Sequence, residues 1–151
     1  MNSASKQVPS AKAEPSPLVG VVMGSDSDLP TLKPALKVLK KNGVEVEHAY
    51  PGCCGMPFLE QADLERVVVQ AKKVSSDLLK WIDKGYRVVT LTASCGLMLK
   101  FEWPLLLPND ENIKKLSKNV SDIDEYVVDI ADNEGLAKGI QEIDGGVTVH
   151  N

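Results

Sequence analysis

The chain has 151 residues, enough for one domain around a single hydrophobic core, and its apolar and charged fractions, 43% and 25%, are those of an ordinary globular protein. Its net charge of −4 offers no electrostatic footprint for nucleic acid or an anionic membrane. No apolar run reaches the roughly 18 residues of a transmembrane helix, so a direct membrane span is excluded as well.

Residues 1–17 are small, polar and proline-rich and read as a disordered leader. They carry no hydrophobic stretch of a secretory signal, and the cysteine count is odd, so a reducing cytoplasmic compartment is expected. Residues 18–151 read as one α/β domain. Leu18 to Met23 is a short β-branched run, the pattern of a strand buried on both faces. The turn cluster Gly24-Ser25-Asp26-Ser27-Asp28 ends it. A helix follows, with Leu32, Ala35, Leu36 and Leu39 as its buried stripe, Pro34 in its first turn and Asn42-Gly43 as its stop. Val44 to Tyr50 is a second strand, leading into Pro51-Gly52-Cys53-Cys54-Gly55-Met56-Pro57.

The longest helix is expected from about Glu60 to Lys84, burying Leu64, Val68, Ala71, Leu78 and Ile82, with Gly85 as its stop. Arg87 to Ala93 is a third strand, and Cys95 lies just beyond it. Leu97 to Leu107, with Phe101 and Trp103, is read as a short helix packed on the sheet. From about Glu111 to Asn133 the pattern is helical again, with Ile123, Val127 and Ile130 facing inward. Residues 145–151 read as the start of a following strand that is cut short.

Alternating strands and helices with short connections give a flavodoxin-like α/β three-layer sandwich around a parallel sheet. In such a sheet the C-terminal ends of the strands share one edge, where ligands bind. Three loops are expected there: Gly24–Asp28, Gly52–Gly55 and Ser94–Gly96. The chemistry of the second and third is carried by sulfur. Vicinal cysteines make poor disulfides with each other, because neighbouring Cβ atoms on a trans backbone point apart. Two thiols on one loop and a third from elsewhere suit a soft metal centre, while small buried side chains are the plainer reading.

From about Asn42 to His150 the chain resembles the cysteine-rich CCG domain of iron–sulfur oxidoreductases, such as the C subunit of anaerobic glycerol-3-phosphate dehydrogenase and heterodisulfide reductase relatives. The segments NGVEVEHAYPGCCGMPFLEQADLERV, VVTLTASCGLMLKFEWPLLLP and DIDEYVVDIA carry the likeness. The resemblance implies an electron-transfer domain or subunit in which Cys53, Cys54 and Cys95 ligate an iron–sulfur cluster of 4Fe-4S type, or act as redox thiols. Its partners would be other subunits of an oxidoreductase complex or a second CCG domain, into which the 136–150 tail looks like the linker. The family's cysteine after the first strand is absent here, with Ser25 near its place, and Met98 stands where a CxxC would close.

Locally, LVGVVMGSDSDLP at Leu18 to Pro30 is similar to the first strand and loop of the PurE family of purine synthesis, the carboxyaminoimidazole ribonucleotide mutases and AIR carboxylases. That similarity implies nucleotide or phosphate binding at Gly24, Ser25, Asp26 and Asp28, where a strand-to-helix loop offers amides to an anion. The catalytic histidine segment of that family has no counterpart, since the second strand here runs into Tyr50-Pro51-Gly52-Cys53. A third reading is a cofactor-free interaction module, with LKFEWPLLLP as its exposed patch.

Overall fold

A computed structural model describes residues 18–22, 29–41, 44–134 and Gly145. The strands are β1 (Leu18–Val22), β2 (Glu45–Ala49), β3 (Arg87–Thr90) and β4 (Val120–Asp122). The helices are α1 (Leu29–Lys41), α2 (Met56–Glu60), α3 (Leu64–Ile82), α4 (Ala93–Leu97), α5 (Trp103–Leu106), α6 (Glu111–Ser117) and α7 (Ile123–Glu134), with a π-helical turn at Met98–Glu102 between α4 and α5. All four strands are parallel in the order β2-β1-β3-β4, with Val21 beside both His48 and Val89, and Val89 beside Ser121. The fold is the expected flavodoxin-like sandwich.

Strand side chains alternate between faces, and the two cores follow that period. Val88 and Val120 face Val67, Ala71, Val74 and Leu78 of α3, with Ile113 and Leu116 of α6 and Trp103 in the same cluster. Val19, Val21, Val46 and Val89 form the opposite core with Tyr126, against which Leu36, Ile123 and Ile130 pack. Thus α3, α5 and α6 make one outer layer and α1 and α7 the other.

Several details depart from the sequence reading. The helix expected from about Glu60 to Lys84 is α3, and it starts later, at Leu64, because Ala62 takes a left-handed φ of 57° and Asp63 caps the start by accepting from the Arg66 N–H; a separate short helix, α2, precedes it. The buried stripe of α3 is Val67, Ala71, Val74 and Leu78, while Leu64 is 46% exposed. That stripe packs on Val88 and Val120 of the sheet, and the cysteine loop lies against Val67 and Val74. Pro34 lies inside α1 and not in its first turn. The 111–133 segment is not one helical stretch, since β4 intervenes between α6 and α7; three residues are too short a run to show a strand period. Tyr126 is buried in place of Val127. The third strand stops at Thr90, because Cys95 and Gly96 donate to the Thr92 carbonyl and begin α4. Asn42-Gly43, the leader at 1–17 and the strand start at 146–151 lie outside the described residues; Gly145 itself is an exposed turn residue with φ 89°.

Candidate functional site

The C-terminal ends of β2 and β3 flank that of β1, and each leads directly into a cysteine segment. After β2 the chain turns through Gly52 (φ 144°) and Gly55 (φ 90°), conformations that a side chain opposes. At Gly52 the Val74 methyl lies 3.4 Å from where a Cβ would stand, so the loop lies flat on α3. Gly55 then opens α2, its carbonyl accepting from the N–H groups of Phe58 and Leu59 at 3.0 Å each. Its own N–H points back and donates to Cys53 Sγ at 3.4 Å. After β3, Cys95 sits in the first turn of α4. The following Gly96 approaches the strand so closely that a Cβ there would meet Thr90 Oγ1 at 2.9 Å.

These two segments bring the cysteines together. Cys54 and Cys95 are 8% and 6% exposed and belong to the same core cluster, while Cys53 is half-buried beside them. The Cys95 thiol hydrogen-bonds to the Cys54 sulfur, and this is the main reason that the Cys54 thiol falls from 9.0 to about 6. Burial works in the opposite direction, and smaller contributions from the N–H groups of Met56 and Cys54 and from the Cys53 side chain lower the value further. Cys54 is therefore a thiolate near neutral pH, held by donors on both sides. None of the three is in a disulfide.

Trp103, expected only as a packing residue, has a second role. Its buried indole N–H donates to the Cys54 carbonyl at 3.0 Å, tying the cysteine loop to the segment that follows Cys95. The signal in the sequence was the tryptophan itself, because a buried indole N–H needs an acceptor. A π-helical turn directly precedes it, and such turns recur at functional sites. Gln70 was also missed. Among the described residues its Oε1 is the buried side-chain atom with no hydrogen-bond partner, and it lies 3.6 Å from the Gly52 Cβ position, under the cysteine loop.

Among the described residues no group of three or more His, Cys, Asp and Glu side chains surrounds a point that could hold a metal ion. Gly24, Ser25, Asp26 and Asp28 lie outside the described residues. His48 is an exposed residue of β2. A separate groove along β4 and α7 is lined by charged residues including Arg87, Lys100, Asp122, Glu125 and Asp129, of which Arg87 pairs with Asp129 and Lys100 with Glu125. No described helix is long and apolar enough to cross a membrane.

A family model for the cysteine-rich CCG domain matches residues 23–100, which include all three cysteines. The chain is also 57% identical over 35 residues to the N5-carboxyaminoimidazole ribonucleotide mutase of Synechocystis sp., a match covering 23% of this chain and 20% of that protein. With the enzyme of the same name from Pyrococcus horikoshii it shares 58% over 31 residues, 20% of this chain and 18% of the other. The chain thus spans about a fifth of the length of the curated relatives it matches. No solved structure matches it.

Proposed function

The chain belongs to the cysteine-rich CCG domain family, and from that premise we propose that it is an electron-transfer domain or subunit of an iron–sulfur oxidoreductase. Cys53, Cys54 and Cys95 are its thiolate ligands. The observation that carries this reading is the contact of Cys54 with both other cysteines, although about forty residues separate it from Cys95.

The donor chemistry fits an iron–sulfur group. Thiolates are its usual ligands, and Cys54 is already ionised near neutral pH. The Gly55 N–H donates to Cys53 Sγ, the kind of bond that tunes the potential of a cysteine-held cluster. Gly52 and Gly55 give the cysteine loop its positive-φ turns against α3, and the Trp103 indole fixes the Cys54 backbone. A 4Fe-4S cluster takes four ligands, and this chain supplies three thiolates. The fourth is an oxygen of Ser25 or Asp26, an exogenous ligand, or a cysteine of a partner subunit or second CCG domain. Bound there, the cluster supplies one-electron chemistry; the chain's own residues hold it, exclude water through the core around Cys54 and Cys95, and set its potential.

The test is iron and acid-labile sulfide content after anaerobic reconstitution, read with the visible spectrum. Stoichiometric iron with a band near ~400 nm, lost in Cys54→Ala, supports the reading. A folded, colourless, iron-free protein overturns it.

A second reading, supported by the short matches to the mutases, is nucleotide binding, for which the sequence offers Gly24, Ser25, Asp26 and Asp28. A rise in Tm with aminoimidazole ribonucleotide, abolished by Asp26→Asn, is its expected signature.

A further inference from the structure

The Gln70 side chain runs along the cysteine turn on its α3 side. Its Cβ is 3.8 Å from where a Cβ of Gly55 would stand, and its Oε1 is 3.6 Å from the same position at Gly52. The one side chain thus spans both ends of Gly52-Cys53-Cys54-Gly55. That Oε1 is buried and has no hydrogen-bond partner. A buried acceptor without a donor is costly, and an apolar side chain of similar shape avoids the cost. At its other contacts with this turn α3 places valines, Val67 and Val74, yet at this one it carries an amide.

The two ends of the turn are held unequally. At the Gly55 end the carbonyl accepts from Phe58 and Leu59, the N–H donates to Cys53 Sγ, and the Trp103 indole holds the Cys54 carbonyl. Among the described residues no hydrogen bond ties Gly52 in the same way. Glycine there, at φ 144°, lets the Gly52–Cys53 peptide plane rotate more freely than a residue with a side chain would. The loosely held end is therefore the end that faces the vacant Oε1.

We propose that Gln70 is a positioning residue of the cysteine centre: when the cysteines take up an iron–sulfur group, the Gly52–Cys53 peptide rotates and the Cys53 N–H donates to Gln70 Oε1. The inference rests on the reading of Cys53 as a thiolate ligand. The vacant acceptor is then a cost borne by the iron-free chain and relieved in the loaded one, so the amide helps to retain the iron. Lys73 Nζ, 4.0 Å from the Gly52 Cβ position, is the competing donor for the same oxygen.

The experiment compares the full chains of wild type, Gln70→Met and Lys73→Met, iron-free and after anaerobic reconstitution. Methionine is as long as glutamine and lacks the amide. Iron-free Gln70→Met is expected to melt about 2–4 °C above iron-free wild type, because an orphaned acceptor has been removed. Once loaded, the same variant is expected to release iron to a chelator about tenfold faster than wild type. These effects have opposite signs, whereas a residue that only fills space stabilises or destabilises both forms alike. Gln70→Leu is expected to reproduce both, and Lys73→Met to release iron at the wild-type rate. A Tm of iron-free Gln70→Met at or below that of wild type, wild-type iron release from that variant, or equally fast release from Lys73→Met overturns the proposal. A wild type that takes up no iron overturns the iron–sulfur reading and this inference with it, whereas uptake with equal retention in wild type and Gln70→Met overturns the inference alone.

Discussion

The indole N–H of Trp103 donates to the carbonyl oxygen of Cys54 across 3.0 Å, in a part of the core where Trp103 is fully buried. Through that bond the loop after β2 and the helical segment after β3 are held as one unit, and the sulfurs of Cys54 and Cys95 stay in contact. Replacing Trp103 by Phe keeps a ring but leaves the Cys54 carbonyl without its donor. Desolvation of that carbonyl and the smaller ring together are expected to cost about 2–3 kcal/mol, measured by urea unfolding. Alkylation of Cys54 is expected to accelerate in the same variant, which a cavity alone elsewhere in the core does not produce.

The ionisation of Cys54 predicts a pH dependence with a definite sign. Its thiol titrates at about 6 in the folded chain against 9.0 ordinarily, so the folded state binds fewer protons than the unfolded state between those values. The resulting stabilisation is fully present above about pH 9 and is lost progressively as the pH falls toward 6. Alkylation of Cys54 in iron-free protein is expected to show a midpoint near pH 6. Cys95→Ala removes the largest cause, so the midpoint is expected to move upward toward 9.0. An unmoved midpoint contradicts the Cys95–Cys54 hydrogen bond.

Gly96 is required by contact and not by turn geometry. A Cβ at this position meets Thr90 Oγ1 at 2.9 Å and the Asp122 Cβ at 3.6 Å. Gly96→Ala is expected to destabilise the chain by about 1–3 kcal/mol, from overpacking between α4 and the ends of β3 and β4. Thr90→Ser retains the hydroxyl and relieves nothing, whereas Thr90→Ala in the Gly96→Ala background is expected to recover part of the loss. A double-mutant cycle by denaturant unfolding measures that coupling.

Gly55→Ala separates backbone strain from sulfur chemistry. At φ 90° the alanine costs about 1–2 kcal/mol, although the space around the position is open enough to accept a methyl. Displacement of its N–H also weakens the bond to Cys53 Sγ, so the reconstituted protein is expected to show a shifted midpoint potential beside the lower Tm.

Trp103 emission reports the same core directly. In a Trp81→Phe background the remaining tryptophan is fully buried, so its fluorescence maximum is expected at the blue end of the range. Emission at the red, water-exposed end contradicts its placement under the cysteine loop. The apolar side chains of that segment that do face solvent are Leu97, Phe101 and Leu105, at 44%, 55% and 74% exposure.

The strands and the topology were legible because buried parallel strands are short β-branched runs, as in Leu18-Val19-Gly20-Val21-Val22 and Arg87-Val88-Val89-Thr90. The convergence of the two cysteine segments followed from that topology, since strand ends of a parallel sheet share one edge. Phase and breaks were less legible. Leu64 and Val68 match a helical stripe as well as Val67 and Val74 do, and packing against the sheet and the cysteine loop decides between them. The break at Ala62 depends on a single left-handed residue, and β4 on three residues that gain strand character by pairing with β3. The Trp103–Cys54 bond joins residues nearly fifty positions apart, so no local pattern announces the acceptor. The orphaned Oε1 of Gln70 is equally a product of where the loop lands.

The central claim is that Cys53, Cys54 and Cys95 form one thiolate centre, and the most direct measurement is residue-resolved alkylation of the three cysteines before and after anaerobic iron–sulfide reconstitution. The account predicts that all three become protected together, in proportion to the iron bound, and are released together by a chelator. Unchanged alkylation of Cys95 while Cys53 and Cys54 are protected, or protection of none of the three, contradicts it.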